Sequence, residues 1–178
     1  MGYYIRTPQT SFAIRTENLP RFFDLVSMLM SDENVEENGQ GGSYSNGERT
    51  RSWYSWVNTD DVRRAVLDRD IVRVFKMWGY ELEIINNDGG VMRFFLDIRG
   101  GEAKIGDEDK FFAAIAPVVE DGSFIDVVGE EDAKWRWMWE NGKFFVQDVI
   151  RTEIHFGEPE QIVFHNANAA KIAKEYNP

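Results

Sequence analysis

The sharpest hydrophobic pattern in the chain is Trp135-Arg-Trp-Met-Trp139, whose alternation places three tryptophans on one face of a strand. Glu140-Asn-Gly-Lys143 and then Phe144-Phe-Val146 follow at once. Asn-Gly is the preferred pair for a two-residue type I′ turn, because both central residues need positive φ. With Asn141 and Gly142 as the loop, Glu140 faces Lys143, Trp139 faces Phe144, Met138 faces Phe145 and Trp137 faces Val146. The second strand is expected to extend as far as Ile154. An aromatic face of this size must be covered by another element or by a partner.

Elsewhere the periods alternate between helix and strand. Residues 11–16 read as a short strand. A helix then starts near Asn18 as N-cap, with Pro20 in its first turn, where the missing N–H does no harm. Phe22, Leu25, Val26 and Leu29 fall on one face of it. Residues 31–50 are acidic and glycine-rich, and are either a loop or a long hairpin tip. Residues 53–57 read as a strand, although Trp53 and Trp56 break the alternation. Thr59-Asp60-Asp61 opens a helix with Val62, Ala65 and Val66 inward. A second helix from about Asp68 carries Ile71, Val74, Phe75 and Trp78 and stops at Gly79. Strands at 80–85 and 91–98, a helix from Asp107 broken by Pro117, and a strand at 123–128 precede a turn at 129–132 and the hairpin.

Strand, double-phenylalanine helix and tryptophan strand occur in order twice, around Phe22-Phe23 and around Phe111-Phe112. The order suggests a duplication, and the differing spacing leaves chance as the alternative. The expected fold is α+β: antiparallel sheets with helices on one face, arranged either as one unit over residues 1–178 or as two ferredoxin-like halves, 1–79 and 80–154, with a tail helix at 166–177.

Charge narrows the partners. The chain carries a net charge of −11. Residues 31–50 contribute −4 (five acids, one base) and residues 101–140 contribute −7 (eleven acids, four bases), so these windows hold the whole excess. Such a surface repels phosphates, and binding to duplex DNA is not expected. A basic protein surface is the natural partner, with simple solubility as the bland alternative. No run of 18 apolar residues suggests a membrane span. The absence of cysteine and of a signal-peptide pattern fits a cytoplasmic protein.

Phe94-Phe-Leu-Asp-Ile98, Phe111-Phe-Ala-Ala-Ile115, Gly122-Ser-Phe124 and the aromatic hairpin together resemble the YubB-like ferredoxin-like domains of uncharacterised plasmid and phage proteins. The resemblance covers residues 80–150 and includes no catalytic motif. It implies an α+β fold and a mobile-element origin.

Reactive constellations are scarce. His155 and His165, with Glu153 and Glu158 nearby, match no metal-ligand spacing. The clusters Asp60-Asp61, Asp107-Glu-Asp109 and Glu130-Glu-Asp132 have no EF-hand pattern, and no phosphate loop or nucleophile elbow occurs. No cofactor or metal is expected. Whether the chain is an enzyme stays open, with a non-catalytic role favoured. The leading expectation is an acidic interaction protein, in its most specific form an inhibitor of a host nucleic-acid-targeting defence, docking through Glu36, Glu37, Asp107, Glu108, Asp109, Glu130, Glu131 and Asp132. One alternative is a ligand- or single-strand-binding module that stacks bases on Trp135, Trp137, Trp139 and Phe144, with Trp53 and Trp56 as further candidates. Another is a carboxylate-dependent hydrolase. The sequence leaves the partner and the oligomeric state open.

Overall fold

In the computed structural model, which describes residues 3–86, 90–98 and 103–149, the chain folds around one antiparallel sheet. Its order is β4 (Tyr80–Asn86), β5 (Val91–Ile98), β1 (Tyr4–Arg15), β7 (Phe124–Gly129), β8 (Lys134–Glu140) and β9 (Lys143–Asp148). The short β6 (Ala103–Lys104) pairs with the start of β1. Two crossovers join these strands. The first, between β1 and β4, contains α1 (Leu19–Leu29), α2 (Asp32–Asn38), the hairpin β2 (Gly41–Ser45) and β3 (Glu48–Trp53), α3 (Thr59–Leu67) and α4 (Ile71–Met77). The second contains α5 (Glu108–Ile115). The path β1–α–β4–β5–α5–β7, with strand order β4-β5-β1-β7, is the ferredoxin-like βαββαβ arrangement. The repeated sequence pattern therefore does not give each half its own ferredoxin-like sheet: β1 from the first half lies between β5 and β7 from the second, and the hairpin β2–β3 is a separate two-stranded sheet.

The hairpin forms in the register its turn chemistry dictates, from Glu140↔Lys143 through Trp137↔Val146. Asn141 and Gly142 have φ of 53° and 66°, as a type I′ loop requires. β9 ends at Asp148, with Val149 no longer in the strand; the rest of the expected extension to Ile154, the tail helix and both histidines lie outside the described residues.

Several boundaries differ from the sequence reading for identifiable reasons. β1 begins at Tyr4 because a register shift between Arg6 and Gln9 opposite β7 accommodates Pro8, which has no N–H to give to a ladder. Asn18 occupies the N-cap position of α1 without capping it, since a 3-10 turn at Thr16–Asn18 delivers the chain already helical. The acidic stretch contains a helix, α2, started by Ser31, whose hydroxyl accepts from the Asn34 N–H at 3.3 Å. Helix α3 is capped by Asn58, whose side-chain oxygen accepts from the Asp61 N–H at 3.2 Å. β3 ends at Trp53, and residues 54–57 form a turn.

The helices cover one face of the sheet. Phe22 and Val26 of α1, Phe75 of α4 and Phe111 and Phe112 of α5 are all buried against Phe12, Phe94, Ile125 and Trp139 of the strands. Some aromatic rings meet edge to face, as between Phe12 and Phe75 (5.6 Å) and Phe12 and Trp139 (5.3 Å), while Phe22 stacks on Phe75 (5.9 Å). The opposite face carries Arg136, held by Asp126 through two bonds of 2.6 and 3.0 Å and lying 4.1 Å over the Phe124 ring. No described helix is long and apolar enough to cross a membrane.

Candidate functional site: two strained turns at one end of the sheet

The hairpin tryptophans belong to the core. Trp139 is fully buried and its indole N–H donates to the Phe112 carbonyl at 3.2 Å; Trp137 is also buried, with its ring 5.2 Å from Phe112. Phe144 is half-buried beside Trp139 (5.3 Å), and Trp135 is half-buried beside Tyr3 (6.4 Å). Helix α5 lies against Trp137 and Trp139, so those two are core and not a base-stacking surface, while Trp135 and Phe144 stay half-buried at its margin.

Burial also divides the acidic residues. Asp107 is 0% exposed and Glu108 6%, which removes both from any docking surface. Asp107 is an internal clamp: its Oδ2 accepts from the backbone N–H of Ser55 at 2.7 Å and of Gln40 at 3.1 Å. It thereby joins the start of α5 to the turn after β3 and to the residues before β2. Its charge also adds to burial, the larger cause, in pushing the Tyr54 hydroxyl up to about 12. Glu108 accepts from the Gly106 N–H. Burial raises its carboxyl to about 7 against the opposing effect of that bond, with the neighbouring charges of Asp107 and Asp109 adding to the rise. A raised carboxyl beside a second acid is what the hydrolase reading asks for, yet these two are closed to solvent.

Arginines neutralise much of the rest. Arg63 pairs with Asp32 and Asp60, Arg64 with Asp61, Arg73 with Asp61 and Asp68, and Arg15 with Glu120. Asp109 is exposed but meets Lys110 at 3.4 Å. Among the docking candidates, Glu36 and Glu37 on α2 and Glu130, Glu131 and Asp132 after β7 remain exposed with no ion pair to a described residue.

The Glu130–Asp132 turn is tightly held at its base and open above. Gly129 passes so close to Tyr3 that a Cβ there would come within 2.3 Å of the hydroxyl. Tyr3 donates that hydroxyl to the Glu130 carbonyl at 3.1 Å, and the Tyr4 N–H donates to Glu130 Oε1 at 3.1 Å. Glu131 and Asp132 both have φ of 58°, a region costly for non-glycine residues. Beside them lies a hollow of about 350 Å³ lined also by Tyr4, Ile5, Arg6 and Val128.

A second strained turn stands near the first, across Lys104. The Val57 N–H bonds to the Tyr54 carbonyl at 3.1 Å, closing a four-residue turn whose third residue, Trp56, has φ of 66°. Glycine normally fills such a position. Trp56 is nevertheless 64% exposed, so core packing does not explain it. The Lys104 ammonium sits 4.8 Å from its ring centre and 5.5 Å from that of Tyr4, whose backbone N–H holds Glu130. Trp56 also borders a cleft of about 450 Å³ with Arg51, Trp53, Val57, Asn58, Thr59 and Asp60.

Three of the six described non-glycine residues with positive φ lie in these two turns. Asn46 and Asn141 sit in hairpin loops beside glycine, and Arg69 joins two helices. The broken Trp53/Trp56 alternation was the sequence signal for the second turn. No group of three metal-ligating side chains occurs among the described residues. Comparison with family models, with curated proteins and with solved structures finds no match.

Proposed function

We propose that this protein is a non-catalytic docking protein that engages a basic surface of another protein through the Glu130–Glu131–Asp132 turn and the exposed Tyr4 ring beside it. The observation that carries the reading is the turn itself: three adjacent carboxylates, exposed and without an ion pair to a described residue, on a backbone fixed at two costly φ values. A solvated acidic loop has no need of that geometry. The net charge of −11 adds long-range steering of a cationic partner. Glu36 and Glu37 of α2 form a secondary acidic face. Proteins that handle nucleic acid carry basic surfaces of the required kind, and a mobile-element inhibitor of one is the most specific version of this reading.

The test uses an arginine-rich peptide as the basic probe. Glu131→Lys combined with Asp132→Asn leaves the Glu130 bond to the Tyr4 N–H in place, and asparagine tolerates positive φ. The double variant is expected to associate at least about tenfold more slowly at low salt, the difference shrinking as salt rises. Unchanged association kinetics would reject the turn as the docking element.

A further inference from the structure

We infer that the Trp56 turn and its cleft form a binding site for single-stranded nucleic acid, centred on residues other than the Glu130–Asp132 turn but sharing the Tyr4 ring with the docking surface. A bulky aromatic residue held at φ of 66° on the surface is maintained by its surroundings, and such strain concentrates where a side chain has to be presented. The surroundings here are specific. The Asp107 carboxylate holds the Ser55 N–H at 2.7 Å, and residue 106 passes so near that a Cβ on Gly106 would come within 3.0 Å of the indole Cδ1 of Trp56. Asp107 is thus a positioning residue, and Gly106 leaves room for the ring.

The chemistry around the ring favours a base joined to a phosphate. Trp56 offers an exposed π-face, and half-buried Trp53 lines the same cleft. Arg51 is exposed, and neither it nor Lys104 makes an ion pair with a described residue. Lys104, between Tyr4 and Trp56, places a positive charge between two stacking surfaces. Aromatic faces interleaved with cations suit unpaired bases and their linking phosphates. Asp60 in the cleft opposes anions, but it lies 3.8 Å from Arg63. The excess negative charge elsewhere limits affinity and excludes the denser charge of a duplex. Of the aromatic candidates read from the sequence, Trp53 and Trp56 line this cleft, whereas Trp137 and Trp139 are core.

Fluorescence anisotropy with a labelled, short single-stranded oligonucleotide tests the site. Wild type is expected to bind, with log K falling against log salt at a slope of about −1.4, for two phosphates neutralised. Lys104→Gln should make that slope shallower by about 0.7. Trp56→Gly should weaken binding by about five- to 150-fold, the range expected for one stacked base. Glycine suits the φ at this position, so the variant should fold and should resist denaturant at least as well as wild type; Trp56→Asn provides a second fold-compatible replacement. Absence of binding by wild type, equal affinity for the matching duplex, or full affinity in both Trp56 variants would each overturn the inference. The variants at 56 and 104 leave Tyr4 and residues 130–132 unchanged, so failure here and failure of the arginine-rich peptide test are distinguishable.

Discussion

Replacing Trp139 with alanine should cost about 3–5 kcal/mol of stability, the range seen when a large aromatic is removed from a packed core. Trp139 is fully buried among Phe12, Phe112 and Phe144, with ring separations of 5.3 Å to each. Its indole also satisfies the Phe112 carbonyl, a bond that alanine cannot make. Domains of this size are stable by only about 5–15 kcal/mol, so the variant should unfold at a much lower urea concentration or fail to accumulate. Trp139→Phe restores most of the volume and should recover most of the loss, leaving a deficit of about 1 kcal/mol for the indole bond. Trp135→Ala, at a half-buried position, should cost less than Trp139→Ala. Urea melts of the three variants rank these effects. Equal losses at positions 135 and 139 would contradict the assignment of this face to the core.

Glu108→Gln should stabilise the protein at pH 8 and leave it nearly unchanged at pH 4.5. Burial is the main cause that holds the Glu108 carboxyl at about 7 in the folded protein, against an ordinary value of 4.5. The folded state therefore keeps its proton while the unfolded chain releases one. Between about pH 4.5 and pH 7 the unfolded state binds fewer protons than the folded state, so stability falls as pH rises through that window. Above it both states are ionised and the penalty is constant, roughly 3 kcal/mol at most. Glutamine keeps an oxygen to accept from the Gly106 N–H and has no proton to lose. The groups facing Glu108 are the carboxylates of Asp107 and Asp109 and the buried Tyr80 hydroxyl, whose own pKa burial, with a contribution from Glu108, raises well above 10. All three keep their identity in the variant. Denaturant melts from pH 4.5 to 8 should give curves that meet at the acid end and diverge towards neutrality. Parallel curves would mean that Glu108 ionises freely and is not buried.

The contrast between hairpin and acidic clusters explains which parts of this protein could be read from sequence. The Trp135–Val146 hairpin is a local object: alternation sets its faces, Asn141-Gly142 sets its loop, and the two together set its register. The inner faces of α1, α3 and α4 followed from helical spacing in the same way. Sheet order did not, because β1 lies between β5 and β7 through contacts distant in sequence. Helix α2 was missed because seven residues with one buried side chain, Val35, leave little periodic signal. Asp107 was misjudged for a related reason. Acids at the start of a helix usually face water, and its partners, the N–H groups of Gln40 and Ser55, are 67 and 52 residues away. The surface acids at residues 130–132 were legible as charge, but their backbone strain was not. Trp56 was legible as a further stacking candidate and as an irregularity in an expected strand, but its turn and positive φ were not.

The account depends most on Trp56 being the displayed indole while Trp137 and Trp139 are sealed beneath α5. Iodide quenching of tryptophan emission in wild type and Trp56→Gly measures this directly, since the nearby Lys104 draws the anion to an exposed ring. The expected result is that the most readily quenched emission, and its red-shifted component, disappears in the variant while a blue-shifted, poorly quenched remainder persists. If Trp56→Gly leaves the quenchable fraction intact, the exposed indoles lie elsewhere, and the assignment of core and displayed tryptophans is wrong.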